Sequence, residues 1–273
     1  MLLKWISLGA ALSAVAVMFL GVSPWWMVPV FALAWVLLLA VAVAVLFILC
    51  SRVDMDQPQE EDDPFYRKAM YLYVELLMSL AQLKVRTSGL EKVPTEGRFL
   101  LVCNHQNEAD PGVLLHFFRG SQLAFISKKE NRDMIVVGKF MHKTLCQMVD
   151  RENDREALKT ILKCIQMIKE DKVSVAVFPE GGIKERDKLN PFRPGVFKIA
   201  QKTGVPIVVC TLKGTSSVFE KLRKLQPIPA RLNLVDVIQP EDYAGMTTVE
   251  ISERVYAMML ADLGEDYALP ENP

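Results

Sequence analysis

The sequence predicts an α/β protein: a mostly parallel, helix-covered sheet preceded by an N-terminal transmembrane helical hairpin. Two observations carry that prediction. From residue 83 to residue 263, short runs rich in β-branched and aliphatic side chains alternate with segments of helical period. That alternation builds parallel sheets whose faces are covered by the crossover helices. Ahead of it, residues 5–51 contain no charged side chain at all.

The uncharged stretch divides at Gly21-Val-Ser-Pro24 into apolar runs of about 17 and about 25 residues, and it holds all four tryptophans (Trp5, Trp25, Trp26, Trp35). Roughly 20 apolar residues cross a bilayer as a helix, and Trp favours its interfaces. Lys4 begins the first run, Arg52, Arg67 and Lys68 follow the second, and the turn between carries no charge. The bias of positive charge toward the cytosol then predicts both ends, and the domain behind them, on the cytoplasmic side of a membrane. A second, longer apolar run argues against a cleaved signal peptide. A shallow interfacial hairpin is the alternative, because the first run is short. The predicted organisation is a membrane hairpin over residues 1–52, an acidic linker over 53–64, a globular domain over 65–265 and a tail over 266–273. Asp54, Asp56, Glu60, Glu61, Asp62 and Asp63 make the linker too polar to bury itself, so it is read as solvated.

In the domain, Tyr66, Met70, Tyr73, Val74, Leu77, Met78 and Ala81 recur at helical spacing and predict an amphipathic helix packed on the core. Strands follow over 83–87, 99–103, 123–126, 147–149, 173–178, 207–212 and 231–238. Between them helices are predicted near 111–119, 134–144, 153–170, 192–202 and 247–263, the last begun by Thr247 or Thr248 with Glu250. With 32 basic and 32 acidic residues there is no electrostatic case for nucleic acid. The five cysteines form no CxxC pair, which suits a reducing compartment and argues against a disulfide framework or zinc site. HExxH, Walker A and GxGxxG patterns do not occur, so no metal or nucleotide cofactor is expected.

The chemistry is concentrated in Asn104-His105-x4-Asp110. His105 follows a buried strand, at the carboxyl end where open α/β sheets place their sites. Asp110 precedes Pro111, a residue suited to the first helical position, which predicts Asp110 as an N-cap with its second oxygen left to hold the imidazole. A carboxylate fixes the tautomer of an imidazole and raises its basicity, which suits a general base taking a proton from a hydroxyl. Gly214-Thr-Ser-Ser-Val218 lacks the closing glycine of a nucleophile elbow, so a covalent serine intermediate is not expected. His116 and His142 have no companion motif and are read as satisfied structural histidines.

Asn104-His105-x4-Asp110 resembles the first signature of the glycerolipid acyltransferases, whose best-known members are the 1-acylglycerol-3-phosphate acyltransferases. Lys128-Lys129-Glu130, Gly138 and Val149-Asp150-Arg151 resemble the second signature. Phe178-Pro179-Glu180-Gly181 resembles the third, and Gly204-Val205-Pro206-Ile207-Val208 the fourth, all in the family's order across roughly residues 85–260. The resemblance implies an enzyme that moves a fatty acyl chain from acyl-CoA or acyl carrier protein to the hydroxyl of a lysophospholipid, with lysophosphatidate as acceptor and phosphatidate as product. It implies His105 as base with Asp110 orienting it, and Glu180, Gly181 and Gly182 against the acceptor, with Lys129 and Arg151 in acceptor or donor recognition. The family's usual Thr-Arg after Glu-Gly is Gly182-Ile183 here, so Lys184, Arg186 and Arg193 become the cations available for a phosphate. That departure keeps open a different lyso-lipid acceptor. From another class, a non-catalytic lipid-binding protein on the same fold would be expected to have lost the base, and His105 and Asp110 are both present.

Overall fold

The structure, a computed structural model, describes residues 1–21, 23–150 and 153–269. α1 (Leu2–Phe19) and α2 (Met27–Ser51) pair as a hairpin, and both are long and apolar enough to cross a membrane. Ala10, Ala14 and Ala42 are buried where small side chains let the two backbones approach, and Trp35 Nε1 donates to Ser7 Oγ at 3.3 Å. α3 (Pro64–Leu80) starts with proline in its first turn, behind an Asp63 carboxylate that accepts from the Phe65 and Tyr66 amides. One side of α3 packs Met70 on the sheet, as the sequence predicts, together with Ala69, whereas Leu77 of the predicted face is exposed. The other side receives the hairpin: Leu76 packs against Ile6 and Ala42, Tyr66 donates to Leu49 O, Tyr73 donates to Ala42 O, and the Met1 amino group pairs with Glu75.

The remaining elements are β1 (Leu83–Ser88), β2 (Leu100–Cys103), α4 (Asp110–Phe117), β3 (Leu123–Lys128), α5 (Val137–Lys143), β4 (Gln147–Val149), α6 (Asp154–Lys169), β5 (Ser174–Val177), α7 (Lys198–Thr203), β6 (Ile207–Lys213), α8 (Val218–Arg223), β7 (Ile228–Ile238) and α9 (Thr248–Leu263). They form one seven-stranded sheet in the order β1-β7-β6-β2-β5-β3-β4. Strands β2 to β6 run parallel, and β7 reverses against β6 with β1 parallel to it. The carboxyl ends of β2, β3, β5 and β6 therefore share an edge with the beginning of β7. Alternate residues of the central strands face opposite layers, since strand side chains have a period of two. Leu100, Val102, Val175, Val177, Ile207 and Val209 meet α6, α7 and α9, whereas Leu101, Cys103, Ala176, Val208 and Cys210 meet α3, α4 and α5. Burying each Leu or Ile in these layers stabilises the fold by about 1.5–3 kcal/mol.

The fold departs from the sequence reading in five places. The helix predicted over 192–202 begins later, as a 3₁₀ turn Pro194–Phe197 followed by α7, because Pro194 and Gly195 resist a regular first turn. α8 was not predicted; six residues are too few to display a period. β7 begins three residues ahead of the predicted 231, and its Pro229 is tolerated because the pairing with β6 starts only at Arg231. Tyr267, assigned to a tail, is buried in a 3₁₀ turn (Glu265–Tyr267); residues 270–273 of that tail lie outside the described residues.

The linker is the fifth. Most of its acids are exposed as expected, but three are tied to the domain: Asp56 pairs with Arg132, Glu61 with Lys172 and the nearly buried Asp62 with Arg67, while Val53 O accepts from Lys139. Arg67 itself is 3% exposed and bonds Asp62, Leu123 O and Thr144 O, so it is no flanking interfacial charge. Periodicity cannot show such pairing, because both partners read as ordinary surface residues.

Candidate active site

β2 delivers Cys103 to the sheet edge, and the chain there is pinned before it turns. The Asn104 side chain donates to Leu212 O at 2.9 Å and accepts from Leu212 N at 2.7 Å, satisfying both halves of its amide on β6. His105 follows, with 16% of its side chain exposed. Its Nδ1 lies 3.0 Å from Asp110 Oδ2. The same carboxylate oxygen accepts the Gln106 amide at 2.6 Å and the Asn107 amide at 2.8 Å. Asp110 is thus not the N-cap of α4 but its first residue, and it reaches back to hold the loop rather than forward to the helix. One oxygen serves both loop and imidazole. The arrangement sets the Nδ1–H tautomer and leaves Nε2 with a lone pair for an incoming proton.

The imidazole is also held flat. Its ring stacks on Phe178 with centroids 4.1 Å apart and planes at 17°, and Phe178 stacks in turn on Phe125 at 6.0 Å. Behind the ring, Glu180 Oε1 accepts the His105 amide at 2.6 Å, and Oε2 accepts the Asn190 amide and side chain at 2.9 and 2.8 Å. Glu180 is 1% exposed, so it braces the histidine from inside and does not face a ligand, contrary to the sequence reading. Burial pushes its carboxyl above the ordinary range, and the amide donors oppose that rise. Burial likewise raises the Cys103 and Cys210 thiols, which leaves neither as a nucleophile.

Gly181 has φ +72°, and a Cβ there would lie 2.8 Å from Arg193 Nε, so glycine lets the Arg193 side chain lie across this turn. Gly182 continues the same turn. Arg193, itself exposed, donates its amide to Pro179 O at 2.8 Å. Arg186 crosses to the His105 loop, donating to Gln106 O at 2.9 Å and facing the Glu108 carboxylate at 3.4 Å. Lys184 is exposed on the same loop. Lys129 sits at the end of β3, 2.7 Å from Asp150. Arg151 lies outside the described residues.

Gln106 and Tyr267 are residues the sequence did not single out. Gln106 Nε2 donates to Asp187 Oδ1 and lies 3.2 Å from the Tyr267 hydroxyl, and the Thr215 hydroxyl faces its Oε1. This node ties the His105 loop, the 182–190 loop and the end of the chain together; only the fold brings its members into reach. Of the histidines read as structural, His116 Nδ1 meets Arg119, whereas His142 Nε2 is buried without a hydrogen-bond partner and so is not fully satisfied. A mostly apolar cleft of about 220 Å³ opens beside the third block, lined by Ile126, Val149, Ala157, Ile161, Phe178 and Gly181. A larger hollow of about 430 Å³ between Pro58 and β4 shares no lining residue with it.

Residues 84–213 match the model of the Acyltransferase family. The chain is 31% identical over 198 residues to a probable 1-acyl-sn-glycerol-3-phosphate acyltransferase of Mycoplasma pneumoniae, covering 70% of this chain and 73% of that one. It is 32% identical over 161 residues to a chloroplastic 1-acyl-sn-glycerol-3-phosphate acyltransferase of Brassica napus, covering 58% of this chain but only 46% of the plant protein, about half its length. The crystal structure of a 1-acyl-sn-glycerophosphate acyltransferase from Thermotoga maritima superposes with a TM-score of 0.61 over 72% of this chain and 78% of that one. At 23% identity it speaks for the fold.

Proposed function

This chain belongs to the glycerolipid acyltransferase family, and we propose that it moves a fatty acyl chain from acyl-CoA or acyl carrier protein to the free hydroxyl of lysophosphatidate, giving phosphatidate. The observation that carries the reading is the His105–Asp110 pair at 3.0 Å, held at the carboxyl edge of a parallel sheet with Nε2 directed away from its partner. His105 Nε2 takes the proton of the acceptor hydroxyl as its oxygen attacks the thioester carbonyl. The tetrahedral intermediate collapses by breaking the carbon–sulfur bond, and the imidazolium returns the proton to the departing thiolate. Asp110 keeps the imidazole in the competent tautomer and balances its transient charge. Glu180 acts through the His105 backbone as a positioning residue. The apolar cleft beside Phe178 suits the acyl chain, since its walls offer dispersion contacts and few groups needing water.

A phosphomonoester acceptor needs cations, because a dianion desolvated without a charged partner is strongly unfavourable. Arg186 supports this reading best, being already drawn to the His105 loop. Lys184 and Arg193 are the next candidates, with Lys129 and, from the sequence alone, Arg151. Neutralising a true phosphate contact is expected to raise KM for lysophosphatidate far more than for the acyl donor, by about 1.5–3 kcal/mol. Steady-state kinetics of Arg186→Ala, Lys184→Ala and Arg193→Ala, against lysophosphatidate and a lyso-lipid without the phosphomonoester, test it. If wild type prefers the neutral acceptor and no variant changes KM, a different lyso-lipid is the substrate, the second reading that Gly182-Ile183 favours.

In our reading residues 1–52 form an integral anchor, residues 53–64 a strap, and the domain from residue 65 faces the cytoplasm. The full-length protein is expected to stay in the membrane pellet through alkaline carbonate extraction, with protease outside sealed cells unable to reach residues beyond 52. Release by carbonate would mean peripheral attachment instead.

A further inference from the structure

The hairpin and the edge carrying His105 point the same way. Leu49 O accepts from Tyr66 near the start of α3, and Ala42 O accepts from Tyr73 further along it. Read back toward its tip, α2 therefore advances along α3 toward Leu80. Just past that end, Gln82 O takes the Ile228 amide at 3.0 Å, at the edge where β6 ends and β7 begins. The tip of the hairpin consequently projects beyond the same edge on which β2 presents His105. α8 and the turn after it sit there, between β6 and β7.

That segment has an unusual surface. Phe219, Leu222 and Leu225 recur at every third position and are 49%, 40% and 82% exposed. Among the described residues after the hairpin, no large apolar side chain is more exposed than Leu225. Lys221, Arg223 and Lys224 are interleaved with them, against the single acid Glu220, which pairs with Lys224 at 2.7 Å. Leu225 has φ +53°, and the Gln226 amide bonds back to Lys221 O, the closing bond of a Schellman turn. Such turns favour glycine or asparagine at the left-handed position. Here a leucine takes that position with its side chain in the open.

We propose that α8 and its turn are an interfacial membrane contact: Phe219, Leu222 and Leu225 enter the boundary of an anionic bilayer while Lys221, Arg223 and Lys224 meet its headgroups. The inference rests on the membrane reading of the hairpin given above. With the hairpin it gives the domain a second point of attachment, pressing the His105 edge against the surface in which a lyso-lipid acceptor and its product reside.

The four tryptophans all lie in the hairpin, so they report its immersion separately from that of α8. Full-length Leu225→Cys protein carrying an environment-sensitive fluorophore is mixed with phosphatidylglycerol–phosphatidylcholine vesicles whose acyl chains are brominated. Both the tryptophans and the label are expected to be quenched. Lys221→Gln/Arg223→Gln/Lys224→Gln should abolish quenching of the label and leave that of the tryptophans. A label that stays in water while the tryptophans are quenched overturns the proposal and leaves the hairpin reading intact, assigning this face to a protein partner. Quenching of neither overturns both. As an unlabelled check, Leu225→Asp should raise KM for an acceptor presented in vesicles by about tenfold, the loss of one buried leucine side chain. KM for a short-chain acceptor in solution should stay unchanged, and an equal rise with both would also overturn the proposal.

Discussion

His105→Ala is expected to lower turnover by ~10²–10⁴-fold, the cost of removing an imidazole that carries the transferred proton. Folding and membrane association should survive. The ring is partly exposed, and it bonds Asp110 Oδ2, which keeps two backbone amides when the ring is gone. Asp110→Ala is a less clean experiment for the same reason. It would strand the Gln106 and Asn107 amides in a buried loop, at about 1–3 kcal/mol for each unsatisfied group. A loss of activity in that variant would mix chemistry with local unfolding. The decisive measurement is single-turnover acyl transfer by His105→Ala in protein whose thermal transition matches wild type. More than about a tenth of wild-type turnover would remove His105 from the role of base.

Arg67→Ala is expected to destabilise the domain by about 3–5 kcal/mol, because it leaves the Asp62 carboxylate buried without its partner. The two side chains are only 4% and 8% exposed, and the guanidinium also satisfies Leu123 O and Thr144 O. The bidentate geometry, with Nε at 2.9 Å and Nη2 at 2.6 Å from Asp62, is the arrangement in which a guanidinium and a carboxylate fit best. Replacing both partners by apolar residues of similar size should recover much of the loss, since the cost lies in an uncompensated charge rather than in the absent pair. Thermal or urea unfolding of Arg67→Ala, Asp62→Leu and Arg67→Met/Asp62→Leu in detergent micelles forms the cycle. A single-variant loss below about 1 kcal/mol would show that the pair is solvated in practice.

The sequence by itself determined the elements whose signal is local. Uncharged runs long enough to cross a bilayer, strands of unbroken aliphatic residues and a long amphipathic α6 all display their period within one segment, so α1, α2, β2, β5, β6 and α6 fall where the pattern puts them. His105 and Asp110 were legible for a similar reason: they are five residues apart on one loop, and the strand before them and proline after them fix where that loop lies. Only the tertiary structure decided the rest, because it depends on residues far apart in the chain. The burial of Glu180 behind the His105 amide joins residues 75 positions apart. Tyr267 reaches Gln106 across 161 positions, and Asp56 of the linker finds Arg132 across 76. Nothing in a charge pattern distinguishes an Asp62 that will be buried from an Asp54 that will not. Desolvation and pairing are properties of the folded neighbourhood, and they turned a solvated linker into a strap, a substrate ligand into a brace and a tail into part of the site.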